Sequence, residues 1–173
     1  MRKVNIELKA KVESLKPIRR KLKELRAVYV GVFQQIDTYY EALRGRLKLR
    51  ETSDAGNAEL IYYEREDAPG PKKSRVWILK VGEPDAVKEM LSNIFKVKSI
   101  VNKTREIYEY EGARIHLDSV KGLGEFIEFE MEVVDNLNAV KEAYNVLEIL
   151  LKRLDIPREN LQKASYSDLI LSK

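Results

Sequence analysis

Residues Glu125 to Val133 read E-F-I-E-F-E-M-E-V, which puts Glu128, Glu130 and Glu132 on one side of the chain and Ile127, Phe129, Met131 and Val133 on the other. A period of two is the mark of a β-strand and excludes a helix. Same-face neighbours on a strand lie roughly 6 to 7 Å apart, so three ionised carboxylates in a row repel one another unless water surrounds them or a cation sits between them. A divalent metal would supply that cation, and a solvated acidic face is the plainer alternative.

The same alternation recurs along the chain. Val4 to Glu13 places Asn5, Glu7, Lys9, Lys11 and Glu13 opposite Val4, Ile6, Leu8, Ala10 and Val12. Further strands are predicted over Phe33 to Tyr40, Gly45 to Glu51, Ala58 to Arg65, Ser74 to Val81, Val97 to Tyr110 and Arg114 to Asp118, with a tight hairpin at Glu111 and Gly112. A helix is predicted from Ser14 to about Tyr29, with Pro17 in the first turn where its missing N–H costs little. Others follow from Pro84 to Phe95 and from a cap at Asp135 to about Leu154, with a last helical piece over Ser165 to Leu171. The count is eight strands and two or three main helices, and 173 residues suit one domain, 1–173.

Composition narrows the chemistry. There is no cysteine, and His116 is the one histidine. Disulfides, thiolate metal sites and a cysteine nucleophile are excluded, and a His-rich zinc site is disfavoured. A metal here needs carboxylate oxygens, which suits Mg²⁺ or Mn²⁺. Charged residues make up 35% of the chain with a net charge of +4, so a mildly basic protein with acidic stripes could hold an anion through metal and basic side chains together. No apolar run approaches the ~20 residues of a membrane span, and the opening M-R-K-V-N-I-E-L-K is charged too early for a secretory signal. A cytoplasmic location is expected.

Nearly every predicted strand has a face loaded with charge of both signs, while the helices carry apolar stripes that need a surface to pack on. One solution closes eight antiparallel strands into a barrel, an α+β fold with helices on its greasy exterior and the charged faces lining a hydrated tunnel. The other is an open or sandwiched sheet with its charges in solvent, where ion pairs contribute little. The residues alone leave both open.

Asn5-Ile-Glu7-Leu-Lys9 resembles the E-x-E-x-K signature on the first strand of the CYTH superfamily, the triphosphate tunnel metalloenzymes. Later pieces fall in the same order: D-T-Y-Y at Asp37, L-K-L-R at Leu47, Lys80, K-x-R at Lys103, R-I-H-L-D at Arg114, G-L-G-E-F-I-E-F-E at Gly122 and S-Y-S-D-L at Ser165. The likeness spans essentially the whole chain and is greatest to the class IV adenylyl cyclase branch, whose relatives include thiamine triphosphatases and inorganic triphosphatases. It implies the closed eight-stranded antiparallel barrel, with a triphosphate bound in its tunnel alongside Mg²⁺ or Mn²⁺. On the matching positions, Glu7, Glu128 and Glu130 would hold metal, and Lys9, Lys11, Lys48, Arg50, Lys80, Lys103, Arg105 and Arg114 would line the phosphate path. Two departures stand out. Asn5 replaces the first signature glutamate, and Lys48 stands where relatives often carry arginine, trading a bidentate fork for a point charge.

Phosphoryl and nucleotidyl transfer ask mainly for charge neutralisation and in-line placement. Attack by a ribose 3′-hydroxyl on the α-phosphorus of ATP would give cyclic AMP and pyrophosphate; attack by water would make the same tunnel a hydrolase of thiamine triphosphate, inorganic triphosphate or a nucleoside triphosphate. Lys80 is expected to stabilise leaving-group charge and Asp118 to assist metal or base work, whereas His116 reads as a structural hydrogen-bonding residue. A barrel that binds RNA or polyphosphate without turnover is the alternative, although acidic rows repel nucleic acid. The oligomeric state stays open, a homodimer being compatible with it.

Overall fold

The computed structural model describes residues 1–53 and 58–173. Eight strands form a closed barrel: β1 (Arg2–Val12), β2 (Val28–Tyr40), β3 (Arg46–Thr52), β4 (Ala58–Arg65), β5 (Lys72–Val81), β6 (Val97–Tyr110), β7 (Ala113–Val120) and β8 (Gly124–Val133). They follow one another around the wall in the order β1-β5-β4-β3-β2-β6-β7-β8, every neighbouring pair antiparallel. The closed barrel, not the open sheet, is the architecture that forms.

Alternation along the strands becomes an inside and an outside. On β1 and β8, Ile6, Leu8, Ala10, Ile127 and Phe129 point outward and are buried against α1 (Lys16–Glu24) and α3 (Leu137–Arg153), through Ile18, Leu22, Ala143, Leu147, Leu150 and Leu151. The helix α2 (Pro84–Ile94) covers a second patch of outer wall by setting Leu91 among Tyr40, Leu49 and Ala58. The alternate residues face the lumen, most of them polar or charged, with Tyr39, Ile61, Tyr63 and Val76 among them. No helix among the described residues is long and apolar enough to cross a membrane.

Three element ends differ from the sequence expectation for local reasons. The first helix stops at Glu24, not near Tyr29: Arg26 has a φ of 58°, and the amides of Arg26 and Ala27 fold back onto the Lys23 and Leu22 carbonyls. The β-branched and aromatic run V-Y-V-G-V-F then extends β2 back to Val28, across an irregularity at Tyr29 and Gly31. The cap of α3 is Asn136, whose side chain accepts from the Ala139 amide at 2.9 Å, not the adjacent Asp135. As expected, Glu111 and Gly112 make the β6–β7 hairpin, with φ of 49° and 76°, the both-positive pattern of a two-residue type I′ turn.

A short C-terminal helix, α4 (Tyr166–Leu171), closes one end of the barrel. A reciprocal cap starts it, Ser165 Oγ accepting from the Asp168 amide and Asp168 from the Ser165 amide. Asp168 also accepts from Arg46 at the start of β3 and from Lys98 at the start of β6, and Ser167 pairs with Ser99 at 2.8 Å. These ties fix α4 across the strand ends where β3 and β6 begin, so the tunnel opens at the other end, where β1 begins.

Candidate active site

The lumen is a polar cavity of about 330 Å³. Its wall carries Lys3, Lys9, Lys48, Arg50, Arg65, Lys103, Arg105 and Arg114 against Glu7, Glu59, Glu128 and Glu130, an excess of positive charge.

Toward the α4 end, one carboxylate holds three cations. Asp37 of β2 is fully buried and receives Lys48 at 3.0 Å, Arg50 at 2.7 and 2.9 Å, and Lys103 at 2.7 Å, from the strands on either side. Burial alone would push the Asp37 carboxyl up, but Arg50, Lys103 and Lys48 together hold it well below the usual range. The amines bear the cost of their own burial: Lys48 is pushed down to about 8 and Lys103 well below its ordinary value, Arg50 adding to the fall of each. Three basic groups around one anion, two of them amines whose charge burial makes costly, favour an incoming polyanion in a place where field lines are poorly screened.

Next to it, Asp118 grips Arg105 with both oxygens, at 2.7 and 2.6 Å, and accepts a third bond from the Tyr166 hydroxyl at 2.7 Å. The Tyr166 ring in turn lies 3.8 Å from Lys9 Nζ, within cation–π reach. So α4 both seals the tunnel and fixes the direction of two cations.

On the β7–β8 wall carboxylates gather. His116, Glu128 and Glu130 offer ligand atoms all within 4.8 Å of one another. His116 lies 3.4 Å from Glu128, which also takes Lys9 at 3.3 Å and Arg105 at 3.6 Å. Burial first, then the neighbouring Arg105, lowers the His116 pKa, which favours the neutral imidazole that metal ligation requires. Burial pushes Glu128 up, but Lys9, Arg105 and His116 outweigh it and keep the carboxylate ionised. One neutral imidazole and two carboxylates suit a divalent cation such as Mn²⁺ or Mg²⁺. Among the described residues this is the one group with that donor set.

Of the residues picked out in the sequence, Lys9, Lys48, Arg50, Lys103, Arg105, Arg114, Glu7, Glu128 and Glu130 share the tunnel lining. Three others do not. Lys80 is exposed near the end of β5, Lys11 is exposed near the end of β1 with its amine 6.0 Å from the Phe126 ring, and Asp118 is buried behind Arg105, its oxygens already engaged. Glu7 reaches the tunnel but not the metal-type cluster, because Arg65 holds it at 2.5 Å. His116, read from the sequence as a structural hydrogen-bonding residue, does lie in that cluster.

Asp37, Arg65, Lys3 and Tyr166 were not assigned a role from sequence. The lone acid in Gln35-Asp37-Tyr39, on a face opposite Arg-Lys-Arg of the next strand, was the available signal for Asp37. Arg65 sits at a strand end that runs into a loop, where alternation gives no direction.

Comparison with known proteins agrees with this fold. The CYTH domain profile matches residues 3–166. A Methanocaldococcus jannaschii protein provisionally named an adenylate cyclase is 28% identical, the alignment covering 96% of this chain and 98% of that one. A solved Pyrococcus horikoshii structure superposes with a TM-score of 0.86 at 26% identity, over 95% of this chain and 98% of the other. A Hippeastrum protein provisionally named an adenylyl cyclase and described as having a dominant triphosphatase activity shares the fold at a TM-score of 0.66 and 16% identity, over 98% and 95% of the two chains. The protein belongs to the CYTH domain family.

Proposed function

We propose that this protein is a divalent-metal-dependent enzyme that takes a triphosphate into its tunnel, and that its reaction is of the class IV adenylyl cyclase type, converting ATP to cyclic AMP and pyrophosphate. The observation that carries the reading is the Asp37 group, three cations on one buried carboxylate at the closed end of the barrel. A triphosphate entering from the open end puts its terminal phosphates there. In cyclisation those phosphates are the leaving group, so Lys48, Arg50 and Lys103 lie where negative charge grows. Arg105, held rigid by Asp118 and Tyr166, presents a fixed fork to the same chain of phosphates.

His116, Glu128 and Glu130 would hold the metal, which when bound supplies charge neutralisation and Lewis-acid polarisation of phosphate oxygens. Lys9 and Lys3, now against Glu128 and Glu130, keep these carboxylates paired. The closed end excludes bulk water from the innermost phosphates, and the open end leaves room for the organic part of the substrate.

A triphosphatase reaction is the second reading, favoured by the triphosphatase activity reported for the Hippeastrum protein of the same fold. One experiment separates them. Purified protein is incubated with ATP, thiamine triphosphate or tripolyphosphate and Mg²⁺ or Mn²⁺, and the products are identified. Cyclic AMP and pyrophosphate are expected; orthophosphate would transfer the assignment to the hydrolase, and no turnover of any of the three would overturn both readings.

A further inference from the structure

Three neighbouring strands place Asn5 of β1, Ser74 of β5 and Arg65 of β4 side by side: Asn5 pairs with Ser74, and Ser74 with Arg65. All three line the tunnel. The Asn5 and Ser74 residues are 2% and 0% exposed and the Arg65 side chain 3%. Each also ends in a buried polar atom that has no hydrogen-bond partner among the described residues: Asn5 Oδ1, Ser74 Oγ and Arg65 Nε. An unpaired buried polar atom costs about 1 to 3 kcal/mol, and three in one cross-strand row, with cross-strand neighbours about 5 Å apart, point to a shared ligand.

The orientation of each group is set from its other side. Asn5 donates its amide nitrogen to Glu130 at 2.6 Å, so its free atom is the carbonyl oxygen, an acceptor. Arg65 reaches from β4 across β5 to Glu7 on β1, binding it through Nη1 at 2.5 Å, while Nη2 goes to the Lys163 carbonyl at 3.3 Å. Its guanidinium therefore lies over β5, beside Ser74, with Nε free to donate.

The row thus offers an acceptor, a hydroxyl and a cationic donor. A metal ion is disfavoured by the guanidinium, and a fully ionised phosphate oxygen cannot satisfy the Asn5 carbonyl, which needs a donor. A hydroxylic oxygen meets all three demands, accepting from Arg65 and donating to Asn5, with Ser74 as its third partner. We propose that Asn5, Ser74 and Arg65 bind the attacking oxygen of the reaction, as positioning residues. This rests on the reading of the tunnel as a triphosphate-processing site.

In that step the oxygen lone pair forms a new P–O bond as the bond from phosphorus to the bridging oxygen breaks. The bridging oxygen leaves with its electron pair on the departing phosphate chain, and the proton of the attacking hydroxyl is released to solvent. The oxygen can come from water or from a sugar hydroxyl; product identity tells which.

Two measurements test the proposal independently of each other. The first is a crystal structure of the ligand-free wild-type protein at about 1.5 Å. It should contain an ordered water within hydrogen-bond distance, about 2.7 to 3.2 Å, of Asn5 Oδ1, Ser74 Oγ and Arg65 Nε. Three atoms turned onto protein partners, or a Mn²⁺ ion on Asn5 Oδ1 after soaking, would overturn it whatever the enzyme does. The second compares Ser74→Ala with wild type under whichever substrate wild type turns over. We expect kcat to fall at least about tenfold, with KM and melting temperature unchanged. The Asn5→Ala/Ser74→Ala double variant should lose less than the product of the two single losses, because both hold one oxygen. An unchanged kcat in Ser74→Ala, or an effect confined to KM, would overturn the assignment while leaving the triphosphate reading in place.

Discussion

The two ionic regions of the tunnel, the Asp37 group and the His116–Glu128–Glu130 cluster, are built from the same kinds of side chain but have opposite balance. The first sets three cations on one carboxylate; the second sets two carboxylates beside one neutral imidazole and borrows its positive charge from Lys3, Lys9 and Arg105. Basic groups crowded into a buried site attract polyanions, and two carboxylates beside an imidazole offer ligand atoms to a divalent ion, so one channel can take both halves of a metal–triphosphate pair. The difference teaches that the overall excess of charge matters less than which groups are gathered at each place and what holds them there.

That contrast can be broken from either side. The largest effect expected is Asp37→Asn, which removes the one anion among three buried cations and should cost about 3 to 5 kcal/mol of stability, read as a shifted urea midpoint. Added tripolyphosphate should restore part of it by binding the folded state. An unshifted midpoint would mean that the three cations do not depend on Asp37. Glu128→Gln or Glu130→Gln should leave the protein folded but lower metal-dependent turnover on the order of a hundredfold or more. Unchanged rates in both variants would remove the pair from the metal site. Smaller still, Lys103→Ala should weaken tripolyphosphate binding by about tenfold, measured by calorimetry, and equal affinity would count against the Asp37 group as the phosphate end.

The finest test is pH. With its amine pushed down to about 8 by burial and by Arg50, Lys48 is protonated below that pH and attracts phosphate; as pH rises through about 8 the charge is lost. Affinity for tripolyphosphate without metal should therefore decline severalfold between about pH 7 and pH 9, and Lys48→Gln should flatten that decline. A slope that survives the substitution would assign the titration to another group.

Much of this was legible in the chain itself. Alternation on β1, β3, β6 and β8 correctly put Lys9, Lys48, Arg50, Lys103, Arg105, Glu128 and Glu130 on the polar faces of their strands, and it was the family resemblance that named them together as one site. It failed where a strand ends or where a residue on the lumen face is already engaged. Lys80 and Lys11 follow the inward alternation yet sit beyond the enclosed stretch of wall, and Asp118 follows it yet is covered by Arg105 and Tyr166. Glu7 was placed with the metal ligands because its strand signature favours that role; Arg65, from a strand two places away around the wall, claims its carboxylate instead.

Spacing in the sequence determined which residues could share a face, because a strand turns its side chains by half a revolution at each step and does so regardless of its neighbours. Only the closed barrel decided which charges meet. Asp37 finds Lys48 eleven residues away and Lys103 sixty-six away because β3 and β6 flank β2 in the wall, and no local periodicity encodes that adjacency. The sign of each region, and the polar atoms left over in the row of Asn5, Ser74 and Arg65, follow from strand register and enclosure, since partners from distant segments are counted only after the ring is closed.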